Sequence, residues 1–440
     1  MKKLLIVTHS FPPSNAPAAQ RTFFFGKYLK ETSGIDVEII APGTTVTASG
    51  VSNWAEKHDS PAVLHQTRYM PMANRIFKSV QNQRNTRNER SSTRVGIIPR
   101  VKQAVFNNFL VPDRGIVWYR FALRQASKLV KADSSIRCVF TSSPSFSDHL
   151  VAAKLKQKFG IPWIADLRDF HWIEAREHTT QGRIRDRQQR FETKVLKEAD
   201  GLTFISESMR DEYIARYPFI EPKAFEIYNG FDPIEFPSPE PNRETPLVLF
   251  YSGSFYGGER NPRPLFSALD SLLVKGQIGL EDIRIDIAGP IDVQSRSIVD
   301  EYKSSQSVNY LGVIPRPKVL QLMSRSDLLW LIVGNLKSHY HSFPVKGYEY
   351  IAAQKPILAF CPFGSESQNI LRESGYNDIF DTDVDLESLC DFLMSRITDK
   401  QAGRIHQRKE HSCIVRFTRK HQSTQLGLVV SKLLTAQAND

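Results

Sequence analysis

Cysteine is scarce: Cys138, Cys361, Cys390 and Cys413 are the four in 440 residues, far apart and without C-x-x-C spacing. That excludes a disulfide scaffold or a cysteine zinc site and fits reduced, mostly buried thiols in a cytoplasmic protein. No apolar run reaches the roughly 18 residues that a transmembrane helix needs. A Walker A sequence is also missing, which argues against an ATPase built on that loop. Acidic residues are outnumbered, 47 against 58 Lys and Arg, for a net charge of +11. The excess favours anionic partners such as nucleic acid, anionic lipid or a phosphorylated substrate, and charge alone does not choose among them. No zinc-finger spacing or RNA-recognition signature accompanies it, so nucleic acid is not an expected partner.

With 41% hydrophobic and 24% charged residues, the composition is that of a globular protein. Two domains of similar size are the natural expectation at this length. Met1-Lys2-Lys3 before Leu4–Val7 briefly resembles a signal peptide, but Thr8-His9-Ser10 and Pro12-Pro13 end the apolar run early. A first strand over Lys3–Thr8 is the better reading. Strand-like and helix-like segments then alternate, which points to a parallel α/β sheet. The expected strands of the first half are Val37–Ile40, Ile136–Phe140, Trp163–Ala165, Gly201–Ile205 and Phe225–Tyr228. Its expected helices are Ala18–Glu31, Ser147–Phe159, Arg183–Ala199 and Glu207–Arg216. Prolines 233, 237, 239 and 241 then exclude a helix or a central strand and indicate a linker. Alternation resumes with strands at Leu247–Tyr251, Ile283–Ile287, Val308–Leu311 and Leu328–Ile332, and helices at Pro264–Val274 and Lys318–Arg325.

Residues Arg75–Lys102 carry eight Arg or Lys and only Glu89 against them, with apolar residues returning between Ile97 and Leu110. Such a basic insertion reads either as a solvated mobile loop or as a segment that docks on an anionic membrane surface.

The segment with the most chemical information is Phe343-Pro344-Val345-Lys346-Gly347-Tyr348-Glu349-Tyr350, leading into Ile357-Leu358-Ala359. It reads as a short helix followed by a buried strand, with Ser342 as cap and Pro344 in the first turn. The free N–H groups at a helix start attract anions. Lys346 and Glu349, three apart, share one face. A cation beside phosphate with a carboxylate one turn further in suits a diphosphate joined to a ribose. Upstream, Tyr251-Ser252-Gly253-Ser254 ends a strand, where glycine lets the backbone approach a ligand and Arg260 supplies a fork for phosphate oxygens.

These segments resemble the donor motifs of retaining glycosyltransferases of the two-domain GT-B architecture, the large family-four group. Three further stretches carry the likeness: the loop His9 to Arg21 after the first strand, Asp166-Leu167-Arg168-Asp169-Phe170-His171-Trp172, and Asn229-Gly230-Phe231-Asp232. The resemblance covers nearly the whole chain. It implies an α/β fold of two Rossmann-like domains facing each other across a cleft. Residues 1–235 would form the acceptor-side domain, with the basic insertion at 75–110, and 236–246 the linker. Residues 247–415 would form the donor domain, and 416–440 a helix returning to the first. The resemblance implies that Arg260 and Lys346 hold the diphosphate and Glu349 the ribose. Gly253, Ser254, Gly289, Val313, Ile314 and Ser342 would line the nucleotide. His9, Arg21 and Ser143 would lie on the acceptor side. Asp169 is favoured as the carboxylate near the reacting sugar, with Asp166 as partner of Arg168; the reverse assignment stays open.

Family members have two glutamates with seven residues between them, and counting back from Glu349 the first place holds His341. Whether His341 replaces that glutamate is open. Asp381-Thr382-Asp383-Val384-Asp385 looks like a metal motif but precedes a helix at Leu386, where an N-cap aspartate needs no metal. His171, Glu174, Glu177 and His178 lack ligand spacing and read as a solvated face. The implied activity is metal-independent and cofactor-free, with a nucleoside-diphosphate sugar as donor. The acceptor would be a lipid-linked saccharide or an oligosaccharide at the inner face of the cell membrane, in capsule, O-antigen or exopolysaccharide assembly. The alternatives are a sugar-nucleotide epimerase of the same fold and a catalytically silent partner of another transferase.

Overall fold

The computed structural model describes residues 2–14, 16–43, 55, 58–68, 112–170, 183–242, 244–404 and 412–439. The basic stretch 75–110 and the His171–His178 group therefore lie outside the described residues. The chain divides into two units. Unit 1 comprises Met1–Ile205, Arg210–Ile227 and Ser423–Asp440; unit 2 comprises Ser206–Met209 and Tyr228–Gln422.

Unit 1 carries seven parallel strands: β1 (Lys3–Val7), β2 (Asp36–Pro42), β3 (Val63–Thr67), β4 (Ile136–Ser142), β5 (Trp163–Leu167), β6 (Gly201–Phe204) and β7 (Ala224–Glu226). Their order is β3-β2-β1-β4-β5-β6-β7. Leu4 to Val7 are wholly buried, as expected of a strand covered on both faces. The intervening helices include Pro17–Ser33, Tyr119–Ala132, Ser147–Phe159, Arg183–Glu198 and Glu207–Arg216. The first begins on a proline and ends at Gly34, whose φ of 66° is the left-handed stop that favours glycine. Helix Arg419–Asn439 closes the unit: Leu426, Val429, Val430 and Leu434 join Leu4, Ile6, Phe24 and Phe25 in one core.

Unit 2 has six parallel strands: β8 (Leu247–Ser252), β9 (Ile283–Ala288), β10 (Val308–Gly312), β11 (Leu328–Ile332), β12 (Ile357–Phe360) and β13 (Ile379–Phe380), in the order β10-β9-β8-β11-β12-β13. Alternate residues feed two cores on opposite faces. Leu249, Tyr251, Leu328, Trp330 and Ile332 enter one, and Phe250, Leu329 and Leu331 the other. The strand order reverses between β1 and β4 and between β8 and β11. At such reversals open α/β sheets take ligands beyond the carboxyl ends of their strands.

The proline-rich stretch does not behave as the expected linker. Pro233–Glu235 is a single turn of 3-10 helix, and Glu240 is fastened to unit 2. Its N–H donates to Ser324 O at 2.9 Å, its carboxylate accepts from Arg325 at 2.9 Å, and its carbonyl accepts from Lys355 Nζ at 2.5 Å. No helix among the described residues is long and apolar enough to cross a membrane.

Candidate functional site

Three strand ends of unit 2 are stitched together by glycine. Gly253 N–H, after β8, donates to Ala288 O at 2.8 Å, and Gly289 N–H, after β9, donates to Gly312 O at 2.8 Å. Gly253 and Gly289 have φ of 116° and 133°, and a Cβ on Gly289 would lie 2.5 Å from Gly253 O. Side chains are excluded there by both conformation and space. The result is a bare backbone ledge, and two cations stand over it. Arg260 Nη1 and Lys346 Cδ lie 3.8 and 4.0 Å from where a Gly253 Cβ would sit.

The cations are held differently. Arg260 donates to Ser254 O at 3.2 Å and stacks its guanidinium 4.5 Å above the Tyr256 ring. Lys346 enters from the first turn of helix Val345–Ala352, whose N-cap is Pro344 with no side chain capping it. Tyr350 ties this helix to β8 by accepting from Ser252 N–H at 2.9 Å. Lys346 Nζ sits 3.8 Å from the centre of the Tyr251 ring and, although buried, has no hydrogen-bond partner among the described residues. Burial and the neighbouring Arg260 charge push its pKa well down, with Glu349 opposing. The Tyr251 hydroxyl is pushed up to about 12 by burial, with Arg260 opposing. A buried ammonium without an acceptor is costly, and an oxyanion over the ledge satisfies it together with Arg260.

Other donor-side residues depart from expectation. Ser342 does not cap the helix, because Pro344 is itself the extended N-cap; the Ser342 hydroxyl donates back to Ser338 O at 3.4 Å. The Glu349 carboxylate accepts from Arg316, which also reaches Glu235 through two bonds of 3.1 and 3.2 Å. Arg316 starts the helix Arg316–Arg325 after β10 and had no place in the sequence reading. Val313 is 81% exposed, whereas Ile314 packs on the core. His341 is pinned by Ser208 Oγ at its Nδ1, 2.6 Å, and by Ser206 Oγ at its carbonyl, 2.6 Å. Asp385 caps helix Leu386–Gln401 by accepting from Glu387 and Ser388 N–H.

In unit 1 the expected partners are rearranged. Arg21 is buried, and donates through Nε and Nη2 to Asp166 at 2.9 and 2.7 Å, and to Ile227 O at 2.8 Å. Asp166 is thus the partner of Arg21, not of Arg168. Ser143 is buried as well, its hydroxyl bridging Asp166 O and Arg168 N–H at 3.2 Å each. His9 is partly buried at the end of β1, edge-on to Trp118 at 5.7 Å, with its N–H donating to Asp148 at 2.7 Å. Asp169 is exposed at the end of β5. Asn229–Asp232 forms a structural turn: Phe231 and Phe417–Arg419 exchange backbone bonds, and a Cβ on Gly230 would lie 2.2 Å from Phe417 O.

Residues 31–230 match the family described as Glycosyl transferase 4-like domain. Solved structures match over nearly the full length. One is a sucrose-phosphate synthase from Thermosynechococcus elongatus, 15% identical with a TM-score of 0.62, covering 99% of this chain and 100% of that one. Another is Anabaena HepE in complex with UDP-glucose, 14% identical with a TM-score of 0.56, covering 100% of both chains. A third is the lipopolysaccharide outer core galactosyltransferase WaaB, 13% identical with a TM-score of 0.54, covering 98% of this chain and 99% of that one. Together they place both units in the GT-B fold of two Rossmann-like domains. No curated protein matches the chain by sequence.

Proposed function

We propose that this chain transfers a sugar, with retention, from a nucleoside-diphosphate sugar to a saccharide acceptor in surface-polysaccharide assembly. The observation that carries the reading is the pair Arg260 and Lys346 over the Gly253–Gly289 ledge, with Lys346 Nζ buried and unpaired. The diphosphate would rest on the ledge, and the two cations with the uncapped helix end would stabilise the charge that grows on it as the sugar leaves. The C1–O bond to the diphosphate breaks, the acceptor oxygen bonds C1 on the same face, and its proton passes to a phosphate oxygen. This route needs no protein nucleophile. Glu349 would meet the ribose while Arg316 holds its carboxylate in place. Support for the donor class comes from HepE, whose structure contains UDP-glucose. Support for the pathway comes from the lipopolysaccharide galactosyltransferase. An acceptor carried on lipid would be met at a membrane surface.

Calorimetric titration tests the donor site. Lys346→Ala should weaken UDP or GDP binding by about 1.5–3 kcal/mol, the range for a lost charge-assisted hydrogen bond. Equal affinity in wild type and variant removes the assignment. Asp169→Asn should show the opposite split, with donor affinity kept and turnover lost, because Asp169 belongs to the other unit. Normal turnover in that variant takes Asp169 out of the reaction.

A further inference from the structure

We propose that Arg168 is an oxyanion-binding residue of unit 1, taking a phosphoryl or carboxylate group carried by the acceptor. The proposal deepens the transferase reading and rests on it for the word acceptor; the anion site itself stands on the geometry of β5. Arg168 follows β5 directly, at the carboxyl end where sheets of this kind meet their ligands. Its side chain is 7% exposed, yet its Nε has no hydrogen-bond partner and its guanidinium enters no ion pair among the described residues. By contrast the buried Arg21 makes three side-chain bonds among the described residues, and the partly buried Arg316 bridges two carboxylates.

The neighbouring acid cannot serve Arg168. Asp166 Oδ2 accepts from Arg21 Nε and Ser142 Oγ, and Oδ1 from Arg21 Nη2 and Thr203 Oγ1, at 2.6 to 2.9 Å. Those four bonds fill the lone-pair capacity of a carboxylate. Asp169 is exposed and makes no bond to Arg168. Burial and the adjacent Arg21 charge accordingly pull the Arg168 pKa down, with Asp169 and Asp166 opposing. A guanidinium fork with two adjacent N–H groups matches the paired oxygens of phosphate or carboxylate, which would restore its charge balance.

The test uses the full chain carrying Lys346→Ala, so that anion binding on unit 2 is suppressed and the result is independent of nucleotide affinity. Inorganic phosphate, methyl phosphate and acetate are titrated calorimetrically at constant ionic strength, and thermal melting is followed with and without each anion. Arg168→Gln should weaken binding of the preferred anion about tenfold or more. It should also melt higher than its parent without anion, because an unpaired buried cation has gone, and lose the anion-induced rise in Tm. Arg168→Lys keeps the charge without the fork and should fold normally with intermediate affinity. Preference for methyl phosphate or for acetate identifies the group the acceptor carries; either supports the proposal if it depends on Arg168. Unchanged affinity in both variants overturns it. So does an Arg168→Gln protein that melts lower or fails to fold, since that would show the cation to be satisfied within the chain.

Discussion

Asp166→Ala should lower the stability of the protein by about 3–5 kcal/mol, the cost of removing one partner from a buried ion pair. The carboxylate is wholly buried and receives four hydrogen bonds from Arg21, Ser142 and Thr203. Its loss leaves Arg21 in the interior beside Arg168, without the carboxylate that accepts from its Nε and Nη2. Burial alone would raise the pKa of Asp166, but the charge and bonds of Arg21, with Ser142, outweigh it and hold it below the usual carboxylate value. A depressed folded-state pKa contributes stability above the unfolded value near 4, and that contribution is lost as pH falls through the folded value. Denaturant midpoints should therefore separate wild type from Asp166→Ala widely at neutral pH and converge in acid. Asp169→Ala, three residues on but exposed, should stay within about 0.5 kcal/mol of wild type. Equal losses in the two variants would show that the Arg21 pair is not what holds these strand ends.

The fold was legible because strands covered on both faces are uninterrupted apolar runs. Leu247–Ser252 and Leu328–Ile332 announce themselves, and their observed ends fall within a residue of those expected. The edge strand Val63–Thr67 was not expected; its residues are exposed or half-exposed and carry little apolar signal. Lys346 and Arg260 were legible as a pair because glycine and a helix start are local signals. Ion-pair partners are not local. Asp166 meets Arg21 across 145 residues of sequence, and Arg316 meets Glu349 across 33. Which carboxylate takes which guanidinium is decided by strand order and register, which no spacing in the chain encodes. The same holds for the Gly253–Gly289 ledge, where glycine signals permission for a close approach but does not name the neighbour.

Stability should also fall as pH rises from about 4.5 to about 7, through a group outside the proposed site. Glu192, on helix Arg183–Glu198, is wholly buried; its Oε1 accepts from the Tyr213 hydroxyl at 2.5 Å and its Oε2 has no partner among the described residues. Burial pushes its pKa up to about 7, with the Tyr213 bond and Arg216 opposing. A carboxyl with a raised folded-state pKa is protonated in the fold where the unfolded chain has already ionised. The folded state then binds more protons between the two values, and stability drops across that window. A shift from 4.5 to about 7 corresponds to roughly 3 kcal/mol by the alkaline end. Glu192→Gln keeps an acceptor for Tyr213 and removes the charge. The variant should match wild type near pH 4 and exceed it by about that amount at pH 8. Comparing the two proteins at each pH cancels the other titrating groups, and parallel stability curves would place the charge of Glu192 in solvent instead.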